Sequence, residues 1–397
     1  MTNNVKVDIA IIGGGIAGLW LLNSLQAKGY SALLFEKNAL GSDQTIASQG
    51  MIHGGVKYAL SGALSGESEA IVDMPDHWKA CLKGAADVDL RDTKVLSEEF
   101  YMWSAGKLAS KLTTFFATKA LRGRIESLKA KNHPAVFSNK QFKGSVYKLV
   151  DVVLDAPSLI ANLQANAKDK IFSIDWSQSK LESIDGNAKL CANGIDIAAK
   201  KVIFAAGKGN GDLLAMLKLE QPAMQLRPLR QVVIKHSNNH MLYAHCIGAS
   251  LSASPRLTIS SHQCIDGKTA WYLGGDLSTA GVALSSDQLI AKAKTEITKL
   301  FPWLDWSDAE WATLYVDRAE PQQKGLVKPD NAFAQSASKD VITAWPTKLT
   351  LAPSLTIEVS KILADDNITP SAAENMQLLS QLATPDIAKP CWETLFK

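Results

Sequence analysis

A glycine motif directly after the apolar run Val5–Ile12 constrains the fold of this chain more than any other feature. The run itself is rich in β-branched residues, which is typical of a buried parallel strand. The motif consists of Gly13, Gly15 and Gly18. Helical spacing then continues to Lys28, and a second predicted strand leads into Glu36. In dinucleotide-binding βαβ units, such glycines let the backbone approach a pyrophosphate at the helix N-terminus, and the carboxylate accepts the ribose hydroxyls. We therefore predict a bound dinucleotide, against the alternative of a plain strand–helix turn.

The remainder of the chain alternates predicted strands and helices, which indicates an α/β fold. We expect a Rossmann-type cofactor-binding domain with an inserted α+β substrate domain built on an antiparallel sheet. At 397 residues the chain has the length of about two domains. The residues 76–144 look mainly helical, and 226–316 look rich in strands. We assign 1–75, 145–215 and 325–397 to the cofactor-binding domain, and 76–144 and 216–324 to the substrate domain.

Charge and cysteine content argue against several classes of protein. The 42 Lys and Arg residues against 39 Asp and Glu give a net charge of +3, which is too balanced for binding driven by nucleic-acid phosphates. The five cysteines include no CxxC pair, which argues against a disulfide framework and a structural zinc site and favours a reducing compartment. The first residues lack the pattern of a signal peptide, and no apolar run is long enough to span a membrane. We therefore expect a cytoplasmic protein without a nucleic-acid partner.

The segment 44–58, with the sequence QTIASQGMIHGGVKY, distinguishes between flavin and nicotinamide cofactors. Small and polar residues dominate it, and its glycines allow close approach of the backbone to a ligand. A nicotinamide-binding domain would continue here with a regular helix and strand, whereas a flavin-binding domain needs a second loop beneath the isoalloxazine ring. We therefore predict FAD as the cofactor.

Several motifs resemble the D-amino-acid-oxidase-like superfamily of FAD-dependent oxidoreductases. The segment QTIASQGMIHGGVKYALSGAL resembles the flavin loop of FAD-dependent glycerol-3-phosphate dehydrogenases and L-2-hydroxyglutarate dehydrogenases, which share an Ile-His-(Gly/Ala)-Gly core followed by Tyr. The residues 347–350 resemble the Gly-Lys-Leu-Thr that precedes the last helix of the glycerol-3-phosphate branch, and KVIFAAGKGN resembles the strand that closes over FAD. That branch has a basic residue where this chain has Gly50, and LRPLRQV at 226–232 matches neither branch closely. The resemblance therefore implies the cofactor and the fold but does not identify the substrate.

The motifs and the resemblance together predict a set of residues that bind FAD. These are Gly13, Gly15, Ile16, Ala17, Gly18, Glu36, Lys37, Gln44, Thr45, Ser48, Gln49, Gly50, Met51, Trp176, Ala206, Gly207, Leu349 and Thr350. The resemblance also implies that the substrate lies over the flavin and transfers a hydride to N5. His53, in the flavin loop, is predicted to be the base, because its ordinary pKa of about 6.5 suits proton transfer. It could instead hydrogen-bond the flavin or carry it covalently.

Two basic residues are further candidates for catalysis. Arg318, in LYVDRAEP, resembles the arginine that holds the anionic substrate in the glycerol-3-phosphate branch, and the alternative is a surface ion pair with Asp317 or Glu320. Lys348 is predicted to place positive charge near the flavin N1–C2=O, where the helix that begins near residue 353 would add its dipole. Weaker candidates for the same pocket are Lys57, Tyr58, Arg227 and Arg230.

We predict a dehydrogenase or oxidase of a small anionic substrate, such as a hydroxy acid, a polyol phosphate or an amino acid. The electron acceptor, which could be oxygen, a quinone or a protein, stays open. The alternatives are a flavoprotein monooxygenase, a flavoprotein that modifies a side chain of a partner protein, and a non-catalytic FAD-binding protein.

No metal site is predicted, because His262 and Cys264 have no third ligand at a suitable spacing and are better explained by a strand with alternating faces.

The segment 107–131 is basic and amphipathic. It carries seven Lys or Arg residues against the single acidic residue Glu126, and its apolar residues recur at helical spacing. This pattern predicts a helix that either packs its apolar face inward or meets an anionic membrane or an acidic protein. In the second case the protein would be peripheral at the inner face of a membrane.

Overall fold

The computed structural model describes residues 4–56, 70–105, 124–184, 187–248 and 254–396. These residues form three sheets with helices packed against them. The strands are β1 (Asn4–Ile12), β2 (Ala32–Glu36), β3 (Met51–Ile52), β4 (Val95–Ser97), β5 (Phe100–Ser104), β6 (Ile125–Ser127), β7 (Ser145–Leu149), β8 (Val152–Leu154), β9 (Ile171–Ser173), β10 (Lys180–Ile184), β11 (Asn187–Ala192), β12 (Ile195–Phe204), β13 (Met224–His236), β14 (Ala244–Ile247), β15 (Leu257–Gln263), β16 (Thr269–Gly274), β17 (Glu310–Pro321), β18 (Phe333–Ser336) and β19 (Val341–Trp345).

The helices connect and cover these strands. They are α1 (Ile16–Ala27), α2 (Met74–Leu82), α3 (Ala156–Asn166), α4 (Asn210–Met216), α5 (Asp276–Ala280), α6 (Ser286–Leu300), α7 (Ala352–Asp365) and α8 (Cys391–Thr394). No helix in the part of the chain that the structure describes has the length and apolar composition that crossing a bilayer requires.

The first sheet is centred on β1, which pairs in parallel with β12 on one side and with β2 on the other. The parallel strands β9 and β19 extend it beyond β2 and β12. Ile9 and Ile11 pack into one core cluster, while Ala10 and Ile12 pack into another on the opposite face. Both faces of β1 are therefore buried, which is why its sequence is almost continuously apolar. The Rossmann-type α/β fold predicted from the sequence is confirmed.

The second sheet has the strand order β17-β13-β16-β15-β14-β5-β7-β6. Its neighbours are antiparallel except for the parallel pair of β14 with β5. Helix α6 packs one of its sides against a face of this sheet. The buried residues on that side recur at helical spacing and are Leu289, Ala293, Ile297 and Leu300. A capping box between Ser285 and Gln288 begins this helix. A third, small sheet joins β3, which lies within the flavin loop, to β8 and β4.

The expectation that residues 76–144 are mainly helical is wrong for the described part of that range. Beyond α2 it forms the strands β4, β5 and β6, two of which pair into the second sheet. Ile125, which belongs to the predicted basic helix, lies in β6 and pairs with Leu149. Cross-strand pairing has overridden the helical spacing at this end of the segment, and residues 106–123 lie outside the described residues.

Two further features concern the domain assignment and β15. The strand β7 pairs within the second sheet, although the segment 145–215 was assigned to the cofactor-binding domain, and the assignment as a whole stays a prediction. The predicted strand at His262 is β15, and both of its faces are covered, because six of its seven residues are buried. The C-terminal helix α8 covers one face there, with Trp392 stacked on His262 at a ring-centroid distance of 3.7 Å.

Candidate functional site

A cleft of about 600 Å³ opens where the parallel strands β1, β2, β12 and β19 of the first sheet end. The carboxyl ends of parallel strands are the usual place for a ligand in such folds. Except for Gly18, every residue predicted to bind the cofactor lines this cleft, and so do His53, Arg318 and Lys348. The fold thus brings together residues from six separate parts of the chain, which are 13–17, 36–53, 176, 206–207, 318 and 348–350.

The turn at Gly13 shapes the phosphate end of the cleft. Gly13 has a φ of +118°, and a Cβ atom there would lie 2.5 Å from the Cα atom of Ala206. Helix α1 begins directly after Gly15, which has no side chain to cap the helix. The first turn of α1 also contains no acidic residue. The backbone is therefore close to the cleft, and the positive end of the helix dipole is available to an anion.

Glu36 lies at the end of β2 and is 9% exposed. One carboxylate oxygen accepts a hydrogen bond of 2.5 Å from the Gly14 backbone N–H, and the other accepts one of 2.7 Å from Asn38. A carboxylate offers about four acceptor positions, so two remain for the hydroxyls of a ribose.

The flavin loop is held to the second sheet by its two glutamines. Gln44 Oε1 accepts a hydrogen bond of 3.1 Å from the Ala319 backbone N–H, and Gln49 Nε2 donates one of 2.9 Å to the Tyr272 carbonyl. Gly50 has a φ of +68°, and a Cβ atom there would overlap the carbonyl oxygen of Leu154. This close approach explains why the basic residue of the glycerol-3-phosphate branch is absent here.

Ser48 supplies a direct sign that the cleft takes a polar ligand. Its Oγ atom is buried and has no hydrogen-bond partner among the described residues. Buried hydroxyls are normally hydrogen-bonded, because an unmet polar group costs about 1–3 kcal/mol. The glycine cradle, the unused acceptor positions of Glu36 and this hydroxyl all fit a bound dinucleotide.

His53 lines the cleft and is 8% exposed. Its backbone N–H donates a hydrogen bond of 3.3 Å to Thr350 Oγ1, and that hydroxyl donates one of 3.3 Å to the Met51 carbonyl. The flavin loop is therefore joined to the turn that precedes α7. The roles of His53 as base, structural group or covalent link stay predictions.

Lys348 lines the cleft directly before that turn, and its Nζ atom donates a hydrogen bond of 3.2 Å to the Asp330 carbonyl. Thr347 stands where the resembling motif has glycine, and it has a left-handed φ of +62°. This conformation is uncommon for a β-branched residue. It is held by burial and by a hydrogen bond of 3.0 Å from Thr347 Oγ1 to the Asn331 carbonyl.

The strands β13 and β17 form one wall of the cleft, and Gln44 of the flavin loop is bonded to β17. Arg227 and Arg318 are cross-strand partners, and Arg318 Nε donates a hydrogen bond of 3.0 Å to the Arg227 carbonyl. The guanidinium of Arg227 makes two hydrogen bonds, of 2.7 and 3.0 Å, to the carboxylate of Glu320, which is 1% exposed. Glu320, suggested by the sequence as an ion-pair partner of Arg318, is thus the partner of Arg227.

The structure also sorts the weaker candidates. Arg230 does not line the cleft, and its guanidinium donates to the carbonyl of Leu284. Lys57 and Tyr58 lie outside the described residues. Leu229 and Gln231 of β13 line the cleft but were missed, because no local motif marks a residue whose place is set by pairing between distant strands. Lys328, in the loop after β17, also lines the cleft and was missed.

The geometry of the glycine turn, Glu36 and the flavin loop defines a dinucleotide site of the flavin type on a Rossmann-type sheet. A family model described as FAD dependent oxidoreductase matches residues 8–330. The chain is also 47% identical, over the whole length of both sequences, to a probable FAD-dependent oxidoreductase of Pseudomonas aeruginosa. The chain therefore belongs to the family of FAD-dependent oxidoreductases, and FAD is its cofactor.

Solved structures agree with this assignment. The crystal structure of an FAD-dependent oxidoreductase from Pseudomonas aeruginosa has a TM-score of 0.85 and 41% identity to this chain, with 99% of each chain covered. The dithionite-reduced L-α-glycerophosphate oxidase of Mycoplasma pneumoniae, solved with FAD bound, has a TM-score of 0.64 at 15% identity and covers 90% of this chain and 95% of its own. At that identity the second comparison shows the shared fold alone.

Proposed function

We propose that the protein oxidises a small anionic substrate, such as a hydroxy acid, a polyol phosphate or an amino acid, by hydride transfer to N5 of the flavin. Bound FAD supplies the hydride acceptor, and the chain's own residues bind and orient the substrate. The position of Arg318 is the observation that carries this proposal. It lies on β17 and lines the cleft, next to Ala319, to which Gln44 of the flavin loop is bonded.

Arg318 is one of several basic residues that line the cleft. The positive charge of Arg227 is balanced by Glu320 through a bidentate ion pair. Lys328 adds a second cation to the same part of the cleft, where Asp317 is the acidic residue. A guanidinium grips a carboxylate or a phosphate with two parallel hydrogen bonds, so Arg318 can fix both the position and the orientation of such a substrate.

His53 is the proposed base for the proton that leaves the substrate hydroxyl or amine. Its main chain is held by Thr350, so the imidazole has a fixed attachment within the cleft. Orienting a substrate between an arginine clamp and a positioned base lowers the entropic part of the barrier.

Anaerobic bleaching of the flavin by a panel of hydroxy acids, polyol phosphates and amino acids tests this proposal. On the best substrate we expect Arg318→Ala to lower kcat/KM by about 10- to 100-fold, which corresponds to the ~1.5–3 kcal/mol of a charged hydrogen bond. Arg318→Lys should be nearly as poor, because an ammonium cannot reproduce the planar pair of donors. Flavin content should not change.

Arg91→Ala is the matched control, since Arg91 forms an exposed ion pair with Asp89. It should leave kcat/KM unchanged. Equal turnover by the wild type and Arg318→Ala would remove Arg318 from the substrate site. If no anionic compound bleaches the flavin while NAD(P)H is oxidised, the dehydrogenase or oxidase proposal fails in favour of a monooxygenase.

A further inference from the structure

Helix α2 carries two metal-ligating side chain types on one face. His77 and Cys81 are four residues apart, so their side chains lie one above the other. The helix ends in a Schellman motif, in which Ala85 N–H donates to the Ala80 carbonyl and Gly84, with a φ of +68°, donates to the Cys81 carbonyl. This reversal folds the following loop back along the helix and brings Asp87 to the same face.

The three side chains converge on one point. A ring nitrogen of His77, the Cys81 Sγ atom and a carboxylate oxygen of Asp87 all lie within 4.8 Å of one another. His77 Nε2 is 3.3 Å from Asp87 Oδ1, but this nitrogen is buried and has no hydrogen-bond partner among the described residues. This nitrogen therefore points at the Asp87 carboxylate, inside the cluster.

A further residue orients the carboxylate. Ser24, which is buried in α1, donates a hydrogen bond of 2.9 Å from Oγ to Asp87 Oδ2. This leaves Oδ1 to face His77. Metal sites commonly have such an outer hydrogen bond that fixes a ligating carboxylate.

We propose that His77, Cys81 and Asp87 bind a divalent transition-metal ion of the zinc class, with water as the fourth ligand. Imidazole nitrogen, thiolate sulfur and carboxylate oxygen are the ligands of tetrahedral zinc sites. With bonds of about 2.0–2.3 Å, the ligand atoms of such a site lie roughly 3.3–3.8 Å apart, so the present cluster needs to close by about 1 Å. Mg²⁺ and Ca²⁺ prefer all-oxygen sites and fit this set poorly.

The surroundings suit a cation better than a catalytic thiol. Cys81 is fully buried, so a substrate cannot reach its sulfur, whereas His77 and Asp87 are each about one-third exposed and leave a path for an ion. None of the three lines the flavin cleft.

The site would stabilise a helix that supports the cleft. Trp78, which follows His77, donates a hydrogen bond of 3.0 Å from its indole N–H to the carbonyl of Thr350. Thr350 in turn contacts the main chain of His53. A metal that joins α2 to the loop after it would therefore fix the position of Trp78 behind the cleft.

Titration of the chelator-treated holoenzyme with Co²⁺ tests the proposal. We expect one equivalent of Co²⁺ to bind and to give a thiolate-to-cobalt charge-transfer band. The ligand-field bands of a tetrahedral site should appear as well, at longer wavelengths than the flavin absorbs. Zn²⁺ should abolish these bands by displacement. His77→Gln, Asp87→Asn and Cys81→Ala should each weaken binding at least 10-fold, and Ser24→Ala should weaken it about 10-fold through the carboxylate.

Cys191→Ser is the matched control, because Cys191 is a partly exposed cysteine on β11, outside the cluster, and should leave the titration unchanged. If the buried Cys81 variant fails to fold, the partly exposed His77 and Asp87 variants still decide the result. Absence of stoichiometric binding, or wild-type binding by His77→Gln and Asp87→Asn, would overturn the metal site and leave a His77–Asp87 ion pair. Rapid alkylation of Cys81 in the folded enzyme would also overturn it.

Discussion

Replacing Gly18 with alanine tests the close packing on which the cofactor turn depends. Gly18 lies within the first turns of α1, where a Cβ atom would overlap the carbonyl oxygen of Gly13 and lie 3.1 Å from its carbonyl carbon. It would also lie 3.2 Å from Leu34 Cδ1, in the strand beneath the helix. The side chain of Leu34 can yield, but the main chain of Gly13 can move only if the whole turn shifts.

Two effects of opposite sign act on this substitution. Alanine is favoured over glycine inside a helix by roughly 0.5–1 kcal/mol. Overpacking against fixed main chain costs about 1–3 kcal/mol, so the net expectation is lower stability. A shift of the turn also moves the backbone N–H groups away from the pyrophosphate. Loss of one charged hydrogen bond, at about 1.5–3 kcal/mol, weakens FAD binding roughly 10- to 100-fold.

Gly211→Ala is the matched control because Gly211 is also helical, in α4. A Cβ atom there would meet only Met224 Cε, at 3.3 Å, and this flexible side chain can adjust. We expect equal or higher stability and unchanged FAD affinity for Gly211→Ala, measured by thermal unfolding and by fluorescence titration of the apoprotein with FAD. If Gly18→Ala matched the wild type in both measurements, close packing at this turn would not govern FAD binding.

Two more predictions concern the cofactor carboxylate and acid stability. Glu36→Ala should weaken FAD binding by about 1–3 kcal/mol, because it removes the acceptor of the ribose hydroxyls and also the contacts to the Gly14 and Asn38 N–H groups. The release of FAD measures this change, and an unchanged affinity would contradict the role of Glu36. Burial lowers the pKa of His262 to about 3 and that of His236 to about 4. Below pH ~6.5 the unfolded chain takes up protons that the folded chain refuses, so stability should fall by about 1.4 kcal/mol per pH unit for each histidine as the pH drops toward 4. His262→Phe should retain the stack on Trp392 and reduce this slope in denaturant titrations at several pH values, and an identical slope would refute the assignment to His262.

Local rules allowed the first βαβ unit to be predicted from the sequence. An apolar strand, a glycine turn, a helix and a terminal carboxylate interact within about thirty residues, so their spacing already fixes their geometry. Helix α1 ends as expected, because Gly29 has a φ of +87° and its N–H donates a hydrogen bond of 2.9 Å to the Gln26 carbonyl. The flavin loop could be recognised for a similar reason, since its small residues reflect contact with the main chain of a neighbouring strand, as at Gly50.

The tertiary structure decided the features that depend on distant partners. Helical spacing around Ile125 gave a wrong expectation, because pairing with β7 outweighs local propensity there. The partner of Glu320 is Arg227 rather than Arg318, which follows from the register of β13 against β17 over twelve residue pairs. The sequence alone therefore determined the cofactor class, because recognition of the cofactor is local. The wall formed by β13 and β17 depends on strand register, which no local pattern encodes.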